Sequence, residues 1–146
     1  AFDKAGNFSG NLLLCFFIII WCSDVGAFAF GISLGKFFPK KLFPTVSPKK
    51  TWIGFIGGLV SSVLAAFALY EFHILKFPLI HCLILSLIMS VTGVYGDLYE
   101  SQWKRVYGVK DSGKIIPGHG GFLDRFDSTL MAMPFGAIYL AIFDLL

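Results

Sequence analysis

Charge is the scarcest commodity in this sequence of 146 residues. Asp, Glu, Lys and Arg make up 14% of it, against roughly 25% in an ordinary soluble domain. A soluble chain of this size must cover its outside with polar groups, and this one has too few of them. Cysteine is scarce as well. Cys15, Cys22 and Cys82 are odd in number and each sits in an apolar run. That excludes a disulfide-stapled secreted scaffold and leaves them as small buried hydrophobes. His73, His81 and His119 are far apart, and no Cys/His spacing has the form of a zinc site. The composition also excludes a disordered chain, a nucleic-acid-binding tail and a coiled coil. No long-period repeat and no low-complexity tract is present.

What the sequence does have is apolar length. Apolar residues make up 56% of it, and 17 residues are Phe. Four stretches stand out: about Asn11 to Leu34, broken by Ser23 and Asp24; Trp52 to Tyr70, with no charged residue; Phe77 to Tyr95; and Leu130 to Leu146. Each is long enough, or nearly so, to span a bilayer as a helix of roughly 20 residues. Leu12 to Ile20 has the look of a signal-peptide core. However, no small-residue cleavage pattern precedes Ser23-Asp24, and apolar sequence resumes directly, so it reads as part of a membrane helix. The first residue is Ala rather than Met, which fits a processed chain or a fragment.

The expected fold is therefore an all-α integral membrane protein. One membrane-embedded domain over 1–146 would hold helices at about 11–34, 52–70, 77–100 and 127–146. The short link Glu71 to Lys76 makes the second and third helices an antiparallel hairpin. Polar segments are expected at 37–51 and 97–127. Lys40, Lys41, Lys49 and Lys50 lie in the first, with Lys36 at its edge; Lys104, Arg105, Lys110, Lys114 and Arg125 lie in the second. These segments follow helices one and three, so they share one side of the membrane, and their basic residues mark that side as cytoplasmic.

Topology alone explains the lysines but not the acids and glycines among them. The segment GDLYESQWKRVYGVKDSGKIIPGHGGFLDRFD begins at Gly96. In it Asp97, Ser101 and Arg105 recur at four-residue spacing, as do Glu100 and Lys104, so carboxylates and cations alternate along adjacent rows of an extended third helix. Glu100–Lys104 reads equally well as an ordinary solvated pair. Asp97 stands where an apolar helix meets the interface, a depth at which carboxylates are uncommon and usually functional. Pro117-Gly118 and Gly120-Gly121, flanking His119, break regular helix and allow backbone N–H groups to approach an anion. Arg and Lys supply charge for phosphate. Aspartates supply the hard oxygens that magnesium takes together with substrate phosphate. The mixture points to a metal–polyphosphate site.

Two further features belong with it. Ser47-Pro48-Lys49-Lys50-Thr51 leads into Trp52, with Ser47 or Thr51 placed to cap the next helix. Its lysines suit interfacial anchoring, and a helix N-terminus with adjacent lysines also suits an anion. Asp24 lies within the first apolar stretch, where a carboxylate is expensive unless it is paired or metal-bound. Gly31-x-x-x-Gly35 and Gly54-x-x-x-Gly58 fit close helix packing.

Taken together these residues resemble the signature of the phosphatidate cytidylyltransferases (CDP-diacylglycerol synthases). The matching run is Ser101-x-x-Lys104-Arg105, Lys110-Asp111-x-Gly113, Pro117-x-His119-Gly120-Gly121 and Asp124-Arg125-x-Asp127. The Ser47-to-Trp52 and Asp24-to-Gly31 segments resemble family elements in the right order. The chain departs from the family's habit at Phe28 and Ile53. The resemblance implies the catalytic C-terminal part of a larger polytopic enzyme that converts CTP and phosphatidic acid to CDP-diacylglycerol and pyrophosphate. It implies Mg²⁺, as one or two divalent metals or a mixed metal site, and a homodimer in a bacterial inner membrane or the endoplasmic reticulum.

On that resemblance Asp97 and Asp111 hold the metal, with Asp24 as ligand or support. Lys104, Arg105, Lys110 and Arg125 bind phosphates. His119 positions or protonates a phosphate oxygen within the loop Gly118, Gly120 and Gly121. Asp124 and Asp127 orient Arg125 or a metal water. Ser47, Lys49, Lys50 and Thr51, with Ser101, contact substrate. The rival readings are a CTP-dependent dolichol- or phytol-type lipid kinase, a transporter or channel fragment with Asp24 lining a polar path, and a catalytically dead fragment that keeps the fold.

Overall fold

The structure is a computed structural model that describes residues 10–37, 40–108 and 123–145, with the side chains of 48, 49 and 123–125 left aside. It contains four helices and one small hairpin in the order α1 (Asn11–Leu34), β1 (Lys41–Phe43), β2 (Ser47–Thr51), α2 (Trp52–Glu71), α3 (Leu79–Val106) and α4 (Leu123–Ile142). This is the expected all-α membrane architecture. Helices α1, α2 and α3 are each long and apolar enough to cross a membrane, and α4 carries a shorter apolar run, Phe126–Ile142. At 1.5 Å per residue, α2 spans about 30 Å, the thickness of the hydrocarbon layer, and α3 about 42 Å.

Several boundaries differ from expectation: α3 begins at Leu79 rather than 77, and α4 ends at Ile142 rather than 146. Helix α3 runs on to Val106 instead of ending near 100. Its extra turns are polar but are held by pairs four residues apart, and Lys104 and Arg105 in the last turn complement the helix dipole. Helix α4 starts at Leu123 rather than 127.

The segment 37–51, expected only as a polar loop, contains the antiparallel pair β1–β2. Lys41 faces Thr51 and Phe43 faces Ser47, with an irregularity between them. Leu42 and Phe43 favour extended backbone, and Pro44 favours the turn. Trp52 donates its backbone N–H to the Lys40 carbonyl at 3.1 Å, which fastens the hairpin onto the start of α2. Thr51 is the cap: its hydroxyl accepts from the Gly54 N–H at 3.2 Å. Ser47 is instead a strand residue.

The two halves of the bundle are packed with different materials. Far from the hairpin lies an apolar core of Cys15, Phe16, Ile19 and Ile20 from α1, Ala66 and Leu69 from α2, Cys82, Leu85 and Met89 from α3, and Tyr139 and Leu140 from α4. The three cysteines are free, and Cys15 and Cys82 are fully buried. Here His81 Nδ1 and the Tyr139 hydroxyl are 2.9 Å apart, tying α3 to α4. Near the hairpin the helices meet through small residues. A Cβ on Gly58 would lie 3.0 Å from the Ser23 carbonyl and 3.2 Å from the Ala27 Cβ. Gly26 of α1 faces Ser61, and Gly54 faces Ala27 and Gly31. Gly31 and the Gly54–Gly58 pair thus serve the close packing read from the sequence. Gly35 does not: a side chain there meets only its own helix, at the Gly31 carbonyl. Ser23 and Ser90 hydroxyls, 2.6 Å apart, join α1 to α3 in this half. Large apolar side chains such as Trp21, Val25, Leu64 and Ile138 point outward, as lipid contact requires.

Candidate active site

The chain direction sets which helix ends meet. The end of α1, the hairpin, the start of α2, the end of α3 and the start of α4 lie at one end of the bundle. Both polar segments therefore fall at the same end, as expected from their order.

Lys50, in β2 just before α2, reaches across to α3. Its Nζ lies 2.7 Å from Asp97 Oδ2 and also 3.4 Å from the Val94 carbonyl, to which it donates. The other carboxylate oxygen of Asp97, Oδ1, accepts from the Ser101 hydroxyl at 3.3 Å. The cap at Thr51 fixes where the strand stops and the helix begins, and so fixes the reach of Lys50.

Gly96 brings the third element in. A Cβ there would lie 2.6 Å from the Asp127 carbonyl and 3.0 Å from the Met131 Cβ. Only a bare backbone lets α4 approach α3 at this level. The approach sets Asp127 beside Asp97, close enough for their charges to interact, with Glu100 in hydrogen-bonding contact and Lys104 also within electrostatic reach. The Asp127 Oδ1 additionally accepts from the Ser128 N–H at 2.6 Å. From α1, Asp24 completes the group: its carboxyl feels Asp127, Asp97 and Lys50. Four segments far apart in sequence thus contribute Asp24, Lys50, Asp97 and Asp127 to one polar cluster.

Lys104 Nζ is 3.3 Å from Glu100 Oε1. The pair is not the ordinary solvated one, since the side chains are 20% and 9% exposed. Glu100 is the residue the sequence reading undervalued. It stands three positions after Asp97 and so on the same helix face, which was the available signal. Arg105 is exposed at the α3 end. Ser101 and Thr51 are engaged with Asp97 and the α2 N-terminus respectively. Lys110, Asp111, Gly118, His119, Gly120 and Gly121 lie outside the described residues, as do the side chains of Lys49, Asp124 and Arg125.

Among the described residues no group of three or more His, Cys, Asp or Glu is arranged to hold a metal by itself. The donor set still fits a hard cation of one kind. Magnesium is usually bound by one or two carboxylates, with substrate phosphates and waters filling its remaining positions. Asp97 and Asp127 would be such carboxylates, and Lys50 and Lys104 are cations beside them.

The fold and site define an integral membrane protein with a carboxylate–lysine cluster at one end of an apolar helix bundle. Comparison with known proteins makes this more particular. The cytidylyltransferase family matches residues 4–143, and the chain belongs to that family. Its relatives include the phosphatidate cytidylyltransferase of Bacillus subtilis (strain 168), 50% identical over 126 residues, covering 86% of this chain and 46% of that protein. The phosphatidate cytidylyltransferase of Staphylococcus aureus (strain COL) is 47% identical over 124 residues, 85% of this chain and 46% of that protein. That of Staphylococcus saprophyticus is 45% identical over the same length and the same shares. The chain spans about half the length of the curated relatives it matches.

Proposed function

We propose that this chain carries the catalytic region of a phosphatidate cytidylyltransferase, which makes CDP-diacylglycerol and pyrophosphate from CTP and phosphatidic acid. The observation that carries the reading is the Lys50–Asp97 ion pair, with Asp24 and Asp127 within electrostatic reach of Asp97, in a chain of the cytidylyltransferase family. The relatives' names support this over the lipid kinase and the transporter.

The chemistry asks for little proton transfer. A phosphate oxygen of the lipid, already anionic, forms the new bond to the α-phosphorus of CTP, and the bond from that phosphorus to the pyrophosphate oxygen breaks. The work lies in bringing two polyanions together and stabilising the leaving group. Mg²⁺, when bound, would supply charge neutralisation at the phosphoryl oxygens. Asp97 and Asp127 would hold it, with Asp111 as a further ligand and Asp24 in support. Lys50, Lys104, Arg105, Lys110 and Arg125 would bear on the phosphates. His119 and the surrounding glycines would seat one of them. The acyl chains stay in the bilayer while the lipid phosphate meets CTP at the interface. The reading includes a cytoplasmic orientation for the polar end, from its basic residues, and a homodimeric assembly.

The test is turnover of α-³²P-labelled CTP with phosphatidic acid and Mg²⁺ in detergent. It should be run on this chain and on a version extended to the length of the relatives. Label in a lipid product with matching pyrophosphate release is the expected result. Release of CDP with a phosphorylated lipid alcohol would instead establish the kinase. Ion flux in liposomes without CTP turnover would establish the transporter.

A further inference from the structure

The sequence suggests Lys50 as a phosphate contact. Its position in the fold says something more. The Nζ group lies 2.7 Å from Asp97 Oδ2, with 22% of the Lys50 side chain and 37% of the Asp97 side chain exposed. A second hydrogen bond from the same ammonium goes to the Val94 carbonyl, one turn earlier on α3. Lys50 is therefore anchored twice to one helix. The Asp97 carboxylate is held on its other oxygen by Ser101. Asp24 lies within electrostatic reach of both Asp97 and Lys50, and Asp127 within reach of Asp97. Among the described residues Lys50 is thus the cation paired directly with Asp97, while Lys104 is engaged with Glu100.

We infer that Lys50 is a positioning residue that competes with the divalent cation for Asp97, so that the metal is taken up together with the nucleotide rather than ahead of it. This rests on the reading of Asp97 as a metal ligand given above. A metal–oxygen bond of about 2.1 Å to Oδ2 would bring a doubly charged ion into the space next to an ammonium already 2.7 Å from that oxygen. Two cations so close repel strongly in a partly buried site. The conflict is relieved when Lys50 leaves Asp97 for another anion. The phosphates of an incoming nucleotide are that anion, and they also complete the shell of the metal. Metal and nucleotide then help each other to bind, with a coupling that is reciprocal by linkage. A reactive metal centre is assembled only when there is a phosphate to react.

The experiment is Mn²⁺ binding to the purified full chain in detergent, followed by electron paramagnetic resonance with and without CTP. Lys50→Met should tighten Mn²⁺ binding several-fold without CTP and abolish most of the enhancement that CTP produces in the unsubstituted chain. Lys50→Gln repeats the measurement if Lys50→Met does not fold. Lys41→Gln, which removes the same charge from the exposed hairpin, should leave both values near those of the unsubstituted chain. Unchanged or weaker Mn²⁺ binding in the Lys50 variants overturns the inference, as does an equal effect of Lys41→Gln. Asp97→Asn separates the two levels of the argument: if it leaves Mn²⁺ binding in the presence of CTP unchanged, the metal-ligand reading fails and the competition falls with it.

Discussion

Replacing Gly96 with alanine adds one methyl group at the place where α3 and α4 come closest. The added Cβ would sit 2.6 Å from the backbone carbonyl oxygen of Asp127 and 3.0 Å from the Met131 Cβ. Ordinary contact begins at about 3.4 Å, so the carbonyl must retreat by about 0.8 Å. Rotation can move the Met131 Cγ, but the Met131 Cβ and the Asp127 carbonyl cannot move without their helix. Helix α4 must therefore shift or tilt at this end, and overpacking of this kind typically costs about 1–3 kcal/mol. The same shift carries the Asp127 side chain away from Asp97. Misplacement of about 1 Å in a catalytic group can lower a rate on the order of a hundredfold. Gly96→Ala should thus lower CDP-diacylglycerol formation by about one to two orders of magnitude, with a smaller loss of thermal stability measured by fluorescence-detected size exclusion. Gly93→Ala is the control: its Cβ would find Ser128 and Ala132 at 3.6 Å or more, in ordinary contact. Full activity in Gly96→Ala would refute the claim that this approach sets the site.

Three other outcomes follow from named contacts. Asp97→Asn should nearly abolish Mg²⁺-dependent turnover in folded protein, and normal turnover across a Mg²⁺ titration would remove Asp97 from the metal's ligands. Thr51→Val keeps the shape of the side chain but loses the cap on Gly54; it should cost about 1 kcal/mol, and Thr51→Ser should recover most of this in a thermal melt. Tyr139→Phe removes the bond to His81 at the far end of the bundle. A loss of roughly 0.6–1.5 kcal/mol in stability is expected there, with the kcat of CTP turnover unchanged.

The four helices are legible in the sequence because lipid demands long apolar runs and tolerates little else. The hairpin is not, since three and five residues give no periodicity to read, and the lysines around them dominate the segment. The site divides the same way. Asp97 can be singled out from its depth at the end of an apolar run, and Lys50 from its place before a helix. Nothing in a linear reading says that the two touch. That depends on how α2 lies on α3, while Gly26, Gly54 and Gly58 set how α1, with Asp24, lies on α2, and Gly96 lets α4, with Asp127, close on α3. The role of Gly96 is hidden because a glycine before an aspartate looks like a local feature of its own helix. Its partner is thirty-one positions away, at Asp127.

The choice of small residues at this end has a physical reason. Carboxylates and ammonium groups come within a few ångströms of each other here, so large apolar side chains cannot wall the site. Glycine and serine let the helices approach at backbone distance, and the Ser23–Ser90 contact satisfies hydroxyls that would otherwise be buried without partners. This half of the bundle consequently gains little from apolar burial. Stability falls to the opposite half, where Ile19, Leu85, Met89 and Leu140 are fully enclosed or nearly so. The division makes the two halves separable by mutation. Changes at Gly58, Ser90 or Gly96 should lower activity and stability together, because the same backbone approach provides both. Changes at Leu85 or Tyr139 should lower stability and leave the chemistry of the surviving folded fraction intact.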